Sequence, residues 1–108
     1  MKTGLILEGG AMRGIFSAGV MDVMMENGIR FDGIIGVSAG AAFGVNYKSG
    51  QIGRAIRYNA NYCHDKRYCG LGSLLKTGNL FNTEFCYGEV PLKLDIFDFD
   101  AFEKDPTA

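Results

Sequence analysis

The chain has 108 residues, room for one small domain, and its 47% apolar and 21% charged residues describe a globular and not a disordered polypeptide. Eleven Lys and Arg against twelve Asp and Glu leave a formal charge of −1, which gives no electrostatic basis for binding nucleic acid or an anionic membrane surface. Cys63, Cys69 and Cys86 make an odd count with no Cys-x-x-Cys, which argues against a disulfide framework or a zinc site and reads as packed thiols.

Gly4 to Glu8 is a short apolar run bounded by glycine, the pattern of a buried strand. Met1 leads straight into it, without the longer apolar core and small-residue cleavage site of a secretory leader. No later stretch approaches the roughly 20 apolar residues of a membrane span, so a cytoplasmic location is expected. Gly9-Gly10-Ala11-Met12-Arg13-Gly14 is a glycine-rich loop. Ile15 to Asn27 reads as a helix, with Phe16, Val20, Val23 and Met24 at helical spacing and Asp22 and Glu26 on another face. Met21, Met24 and Met25 fit helix packing. Asn27-Gly28 is a helix stop, with Gly28 suited to a left-handed cap.

Phe31 to Val37 is a second strand, rich in isoleucine, and Ser38 sits at the turn that follows. Ala39 to Lys48 forms a helix ended by Ser49-Gly50. Gln51 to Cys63 reads as a third helix, with Ile52, Ala55, Ile56 and Tyr62 on one face. Cys69 to Phe81 reads as glycine-punctuated loop. Phe85 to Ala108 mixes apolar and acidic residues without a periodicity that assigns an element. Its Ile96, Phe97, Phe99 and Phe102 suit a core, and its Asp95, Asp98, Asp100, Glu103 and Asp105 suit a solvated face. Those carboxylates lack the glycine and ligand order of a calcium loop.

Strand, helix and strand within about 35 residues make a βαβ unit, so the two strands should be parallel. Parallel strands end at the same edge of the sheet. The Gly9-Gly10 loop and the Ser38 turn should therefore lie side by side, on strands about 4.8 Å apart.

The chemistry follows from that placement. A serine is a weak nucleophile at neutral pH and needs exposure, a base and a stabiliser for the oxyanion it creates. In Gly36-Val37-Ser38-Ala39-Gly40 the serine occupies a strained strand-to-helix turn. The flanking Gly36 and Gly40 remove side chains that would strike neighbouring backbone. The helix starting at Ala39 aims its dipole and free N–H groups at the reaction centre. The Ala39 amide and those of Gly9, Gly10 or Ala11 could hold an oxyanion. Arg13 could clamp the loop or meet an anionic substrate group, and Gly14 closes the loop.

Glu8-Gly9-Gly10-Ala11-Met12-Arg13-Gly14, followed by Phe31-Asp32-Gly33-Ile34-Ile35-Gly36-Val37-Ser38-Ala39-Gly40, resembles the N-terminal half of the patatin-like phospholipase family. The family pattern there is a Gly-Gly-x-x-Arg-Gly oxyanion loop and then a Gly-x-Ser-x-Gly elbow. The resemblance covers residues 4–45. It implies a three-layer α/β/α fold with a mostly parallel sheet. It also implies a Ser–Asp dyad without a histidine base, and hydrolysis of lipid or phospholipid acyl esters through an acyl-Ser38 intermediate with no cofactor or metal. Substrate lipids would bring transient contact with a membrane surface.

One expected feature is missing. The resemblance implies a downstream Asp-Gly-Gly or Asp-Gly-Ala, and none of Asp65, Asp95, Asp98, Asp100 and Asp105 precedes a glycine. Asp32-Gly33 has the pair but lies six strand residues before Ser38, roughly 20 Å away. The expectation is that residues 1–108 are the N-terminal portion of one hydrolase domain whose base lies outside them. The alternatives are a non-catalytic binding module and an acyltransferase using the same elbow. A dinucleotide loop is disfavoured, because the order is Gly-Gly-x-x-x-Gly, although Asp32 mimics the ribose-binding acid. A P-loop is excluded by the missing Gly-Lys-Ser/Thr. His64 would have to return to the serine from beyond the third helix, and Lys48 lies about 15 Å along its helix.

Overall fold

The computed structural model describes all 108 residues. Strand β1 (Gly4–Leu7) and strand β2 (Gly33–Gly36) pair in parallel, with Gly4 opposite Gly33 and Leu7 opposite Gly36. Helix α1 (Gly14–Glu26) connects them, and helix α2 (Ala39–Ser49) leaves β2 through Ser38. The chain then forms α3 (Arg54–Tyr62), α4 (Leu71–Thr77), a π-helical segment at Phe85–Leu94 and α5 (Phe99–Lys104). The order and the parallel sheet are the α/β arrangement that the sequence predicts.

Residues 1–56 and 98–108 form one compact unit, and residues 57–97 a second. In the first unit α2 lies against the sheet and α1 packs on α2. The contacts explain the small residues. A Cβ on Gly44 would come within 2.9 Å of Leu7 Cδ1, and one on Gly14 within 2.6 Å of the Phe43 ring. Leu7, Ala18, Met21, Phe43 and Tyr47 are buried there. Tyr47 donates its hydroxyl proton to the Ile29 carbonyl. Burial raises its phenol pKa, against the opposing pull of the Arg30 charge.

The far end of α2 is held by a buried polar pair. Arg54 Nη1 donates to Asn46 Oδ1 over 2.8 Å, while Asn46 Nδ2 donates to the Ala42 and Phe43 carbonyls. Asp22 accepts from the Gly53 amide at 2.9 Å and ties α1 to the same corner. Arg30 pairs with Asp105, which ties the entry to β2 to the end of α5.

Several expectations are corrected. The Phe16–Val20–Val23 stripe of α1 faces solvent, with Phe16 82% exposed, and Ala18 and Met21 on the opposite side make the core contact. The helix is apolar on more than one face, so periodicity alone could not choose the buried one. Residues 71–77 are helical and not loop, capped by left-handed Gly78. In the C-terminal segment Phe97 is buried, but Ile96 and Phe99 are exposed. Asp95 is not solvated: it is buried and takes a two-pronged hydrogen bond from Arg57, 2.8 Å from Nε and 2.7 Å from Nη2.

In the second unit Tyr62 and Tyr68 meet Phe85 and Phe81 edge to face. The three cysteines are free and half-buried. Burial, and then the nearby Cys69, raises the pKa of the Cys86 thiol.

Candidate functional site

Ser38 stands between β2 and α2 with φ 53° and ψ −120°. That backbone conformation is unfavourable for any residue with a Cβ and persists only where the surroundings impose it. Two glycines impose it here. A Cβ on Gly36 would lie 2.6 Å from the Ala41 backbone, and one on Gly40 only 2.3 Å from the Leu7 carbonyl oxygen. The chain therefore turns from strand to helix in one residue, with the first turn of α2 pressed against the end of β1. Val37 N–H donates to the Leu7 carbonyl and Gly40 N–H to the Val37 carbonyl, at 3.0 and 2.9 Å.

The side chain that results is exposed. Its hydroxyl makes no capping bond to the helix it precedes. The first N–H groups of any helix, that of Ala39 among them, have no intrahelical acceptor and carry the positive end of the helix dipole.

The glycine-rich loop lies beside the serine. A Cβ on Gly9 would sit 3.2 Å from Ser38 Cβ and 3.3 Å from the Val37 carbonyl oxygen. Glycine at this position thus allows two loops on adjacent strands to touch. Residues Ala11–Arg13 follow as a single 3-10 turn, closed by Arg13 N–H donating to the Gly10 carbonyl at 3.0 Å. Ala11 has φ 47°, and it and Ser38 are the two non-glycine residues of the chain with positive φ. Both strained positions follow the C-terminal ends of the two paired strands, Ala11 after β1 and Ser38 after β2. Arg13 is exposed, and its guanidinium lies along Gly10, with Nε and Nη2 3.4 Å from where a Gly10 Cβ would be.

The predicted site residues Gly9, Gly10, Ala11, Arg13, Gly14, Gly36, Ser38, Ala39 and Gly40 thus converge on one place. Asp32 does not join them. It lies just before β2, at the end of the sheet away from Ser38, where its carboxylate accepts from Thr3 N–H at 2.7 Å. No cluster of His, Cys, Asp and Glu could hold a metal ion. No helix is long and apolar enough to cross a membrane. Sequence reasoning passed over Leu7, whose carbonyl takes the Val37 amide and whose backbone sets the space open to residue 40. Its signal was present only in the glycine two residues after the serine.

A sequence model of the family described as Patatin-like phospholipase matches residues 5–107. The chain is also 30% identical over 99 residues to an uncharacterized protein, YjjU, of Escherichia coli strain K12. That match covers 87% of this chain and 28% of the relative, so the chain spans well under half the length of the relative it matches. No solved structure matches the chain.

Proposed function

The chain belongs to the patatin-like phospholipase family, and we propose that it carries the nucleophile half of a serine acyl hydrolase acting on lipid or phospholipid esters. The observation that carries the reading is the exposed, strained Ser38 with the Gly9 backbone against it.

In this mechanism Ser38 Oγ attacks the ester carbonyl and its proton passes to a base. The carbonyl oxygen becomes an oxyanion held by the amides of Ala39, Gly9 and Gly10, with Ala11 next in the loop. Collapse expels the alcohol, which takes up the proton, and leaves an acyl-Ser38 ester. Water then attacks this ester, giving the fatty acid and free Ser38. Oxyanion donors of this kind contribute on the order of 3 kcal/mol each to lowering the barrier. The base is an aspartate in polypeptide beyond residue 108 of the whole protein. Arg13 stands where it could meet an anionic lipid group. Residues 1–108 alone should turn over esters negligibly.

The test is labelling of the whole protein by a fluorophosphonate. The native serine should become covalently phosphonylated and Ser38→Ala should not. Full esterase activity in Ser38→Ala would overturn the reading. If an alcohol added in competition with water takes most of the acyl group, the reaction is acyl transfer on the same intermediate. Labelling absent from the intact native protein would favour a binding module.

A further inference from the structure

The three cysteines lie in the second unit, and the fold brings two of them to one spot. Gly70 N–H donates to the Leu80 carbonyl and Asn82 N–H to the Tyr68 carbonyl, each at 3.1 Å, so Cys69 and Phe81 stand opposite each other in an antiparallel bridge. In this kind of pair the hydrogen bonds belong to the flanking residues, and the two Cα atoms approach to about 4.5 Å. The turn that leaves the bridge is fixed as well. Asn82 Oδ1 accepts from Phe85 N–H at 3.1 Å, and the Asn82 carbonyl accepts from Cys86 N–H at 2.9 Å. Cys86 therefore sits one helical turn beyond a residue that is bonded to the backbone of Tyr68.

Its thiol comes back to the same place. Cys86 Sγ donates to the Tyr68 carbonyl at 3.9 Å, and that carbonyl belongs to the peptide that joins Tyr68 to Cys69. A planar trans peptide puts its oxygen roughly 2.8 Å from Cys69 Cα, so the Cys86 sulfur lies within about 7 Å of that Cα. Burial raises the Cys86 thiol pKa, and Cys69 is near enough to raise it further. Both thiols are free and half-buried, not sealed. The Cys63 thiol is engaged elsewhere, with the Ala60 carbonyl at 4.0 Å.

We propose that Cys69 and Cys86 form a reversible disulfide by exchange with a low-molecular-weight disulfide such as oxidised glutathione. One protein thiolate attacks the small disulfide and expels one small thiol. The other thiolate attacks the resulting mixed disulfide, expels the second small thiol and closes the Sγ–Sγ bond. The protein thiols give up two protons and two electrons, and the small disulfide is reduced to two thiols. The Tyr68 carbonyl loses the thiol proton but keeps the Asn82 amide, so closure leaves no orphaned acceptor. The bond closes residues 69–86 into a loop that holds α4 and the start of the π-helical segment, and it leaves Cys63 as a thiol. The pair does not depend on the hydrolase reading.

A disulfide map of the native protein tests the proposal. The reduced protein is treated with oxidised glutathione, its remaining thiols are blocked, and it is digested with trypsin. Cleavage after Arg57, Lys66, Arg67, Lys76 and Lys93 puts Cys63, Cys69 and Cys86 on three different peptides. The Tyr68–Lys76 and Thr77–Lys93 peptides should appear joined, at the sum of their masses less two hydrogens, and dithiothreitol should separate them. This pairing should exceed each of the other two by about 10-fold or more. In concentrated urea the preference should be lost, because an unfolded chain closes the shorter Cys63–Cys69 loop more readily. Cys63→Ser should pair Cys69 with Cys86 as before. In the oxidised protein the Gly78 amide, bonded to the Leu74 carbonyl inside the loop, should exchange about 10-fold or more slowly. Glutathione held separately on Cys69 or Cys86 with no joined peptides would overturn the pair, as would equal pairing with Cys63. Unchanged Gly78 exchange in the joined form would overturn its hold on α4.

Discussion

Ser38 stores backbone strain where glycine would store none. With φ at 53° and ψ at −120°, replacing it by glycine removes the Cβ that makes this conformation costly. Ser38→Gly should therefore raise the unfolding free energy by about 1 kcal/mol while abolishing fluorophosphonate labelling. Urea denaturation of the 108-residue chain reads the first effect, and destabilisation by the substitution would mean that the serine is not strained. The glycines around it act by steric exclusion. Gly40→Ala would drive a methyl group to 2.3 Å from a backbone oxygen, which no rotamer change relieves. It should cost about 3 kcal/mol or more. Gly72→Ala is the control. It lies inside α4 with nothing within 4 Å of the new methyl and should stabilise by about 0.5–1 kcal/mol.

At the scale of elements, the end of α5 is fixed to the entry of β2 through Asp105. Burial pushes the Asp105 carboxyl pKa up, but its hydrogen bonds to Thr107 and the charges of Arg30 and Lys48 prevail and hold it below the usual carboxylate value. A folded-state pKa below the unfolded one gives stability that is present above the unfolded value, near 3.9, and is lost as pH falls through the folded value. Asp105→Asn should therefore cost about 1 kcal/mol at neutral pH. It should cost progressively less as pH falls through the folded value, where the native carboxylate takes up its proton. Urea midpoints of both proteins across pH 2–7 decide this, and a penalty that does not shrink in acid would assign the role to shape and not charge. The strained turn at Ser38 and the Gly9-Gly10 loop beside it were legible in the sequence because glycine reports a local steric need. The strand, helix and strand around them were legible because their apolar runs are short and cleanly punctuated. Helix α4 was hidden by Gly70, Gly72 and Gly78, which punctuate it like a loop. The buried Arg57–Asp95 pair was illegible for another reason. Its partners are 38 residues apart, and no local pattern marks a charge that will find a distant mate.

At the scale of the whole molecule, the sheet and α1 each leave an apolar surface in water. Ile6 and Ile35 stand side by side on the outer sheet face, 77% and 65% exposed. Phe16, Val20 and Val23 line the outer side of α1. Contiguous patches of this kind promote association in a free chain and are covered in a complete domain. Residues 1–108 alone should accordingly bind a dye such as anilinonaphthalene sulfonate and self-associate with rising concentration. The double substitution Phe16→Lys and Val23→Lys should reduce both effects, yet change the unfolding free energy of this chain by no more than about 0.5 kcal/mol, because the side chains it replaces are solvated. The same pair should behave differently in a longer chain that covers these faces. If the polypeptide after Ala108 completes the sheet and its covering helices, each side chain is buried there, and the pair should cost about 3 kcal/mol or more. The contrast between the two proteins is the measurement. A similar small effect in both would leave the α1 stripe as a solvent-facing surface of the longer chain. A large loss already in the short chain would show that Phe16 and Val23 pack within residues 1–108.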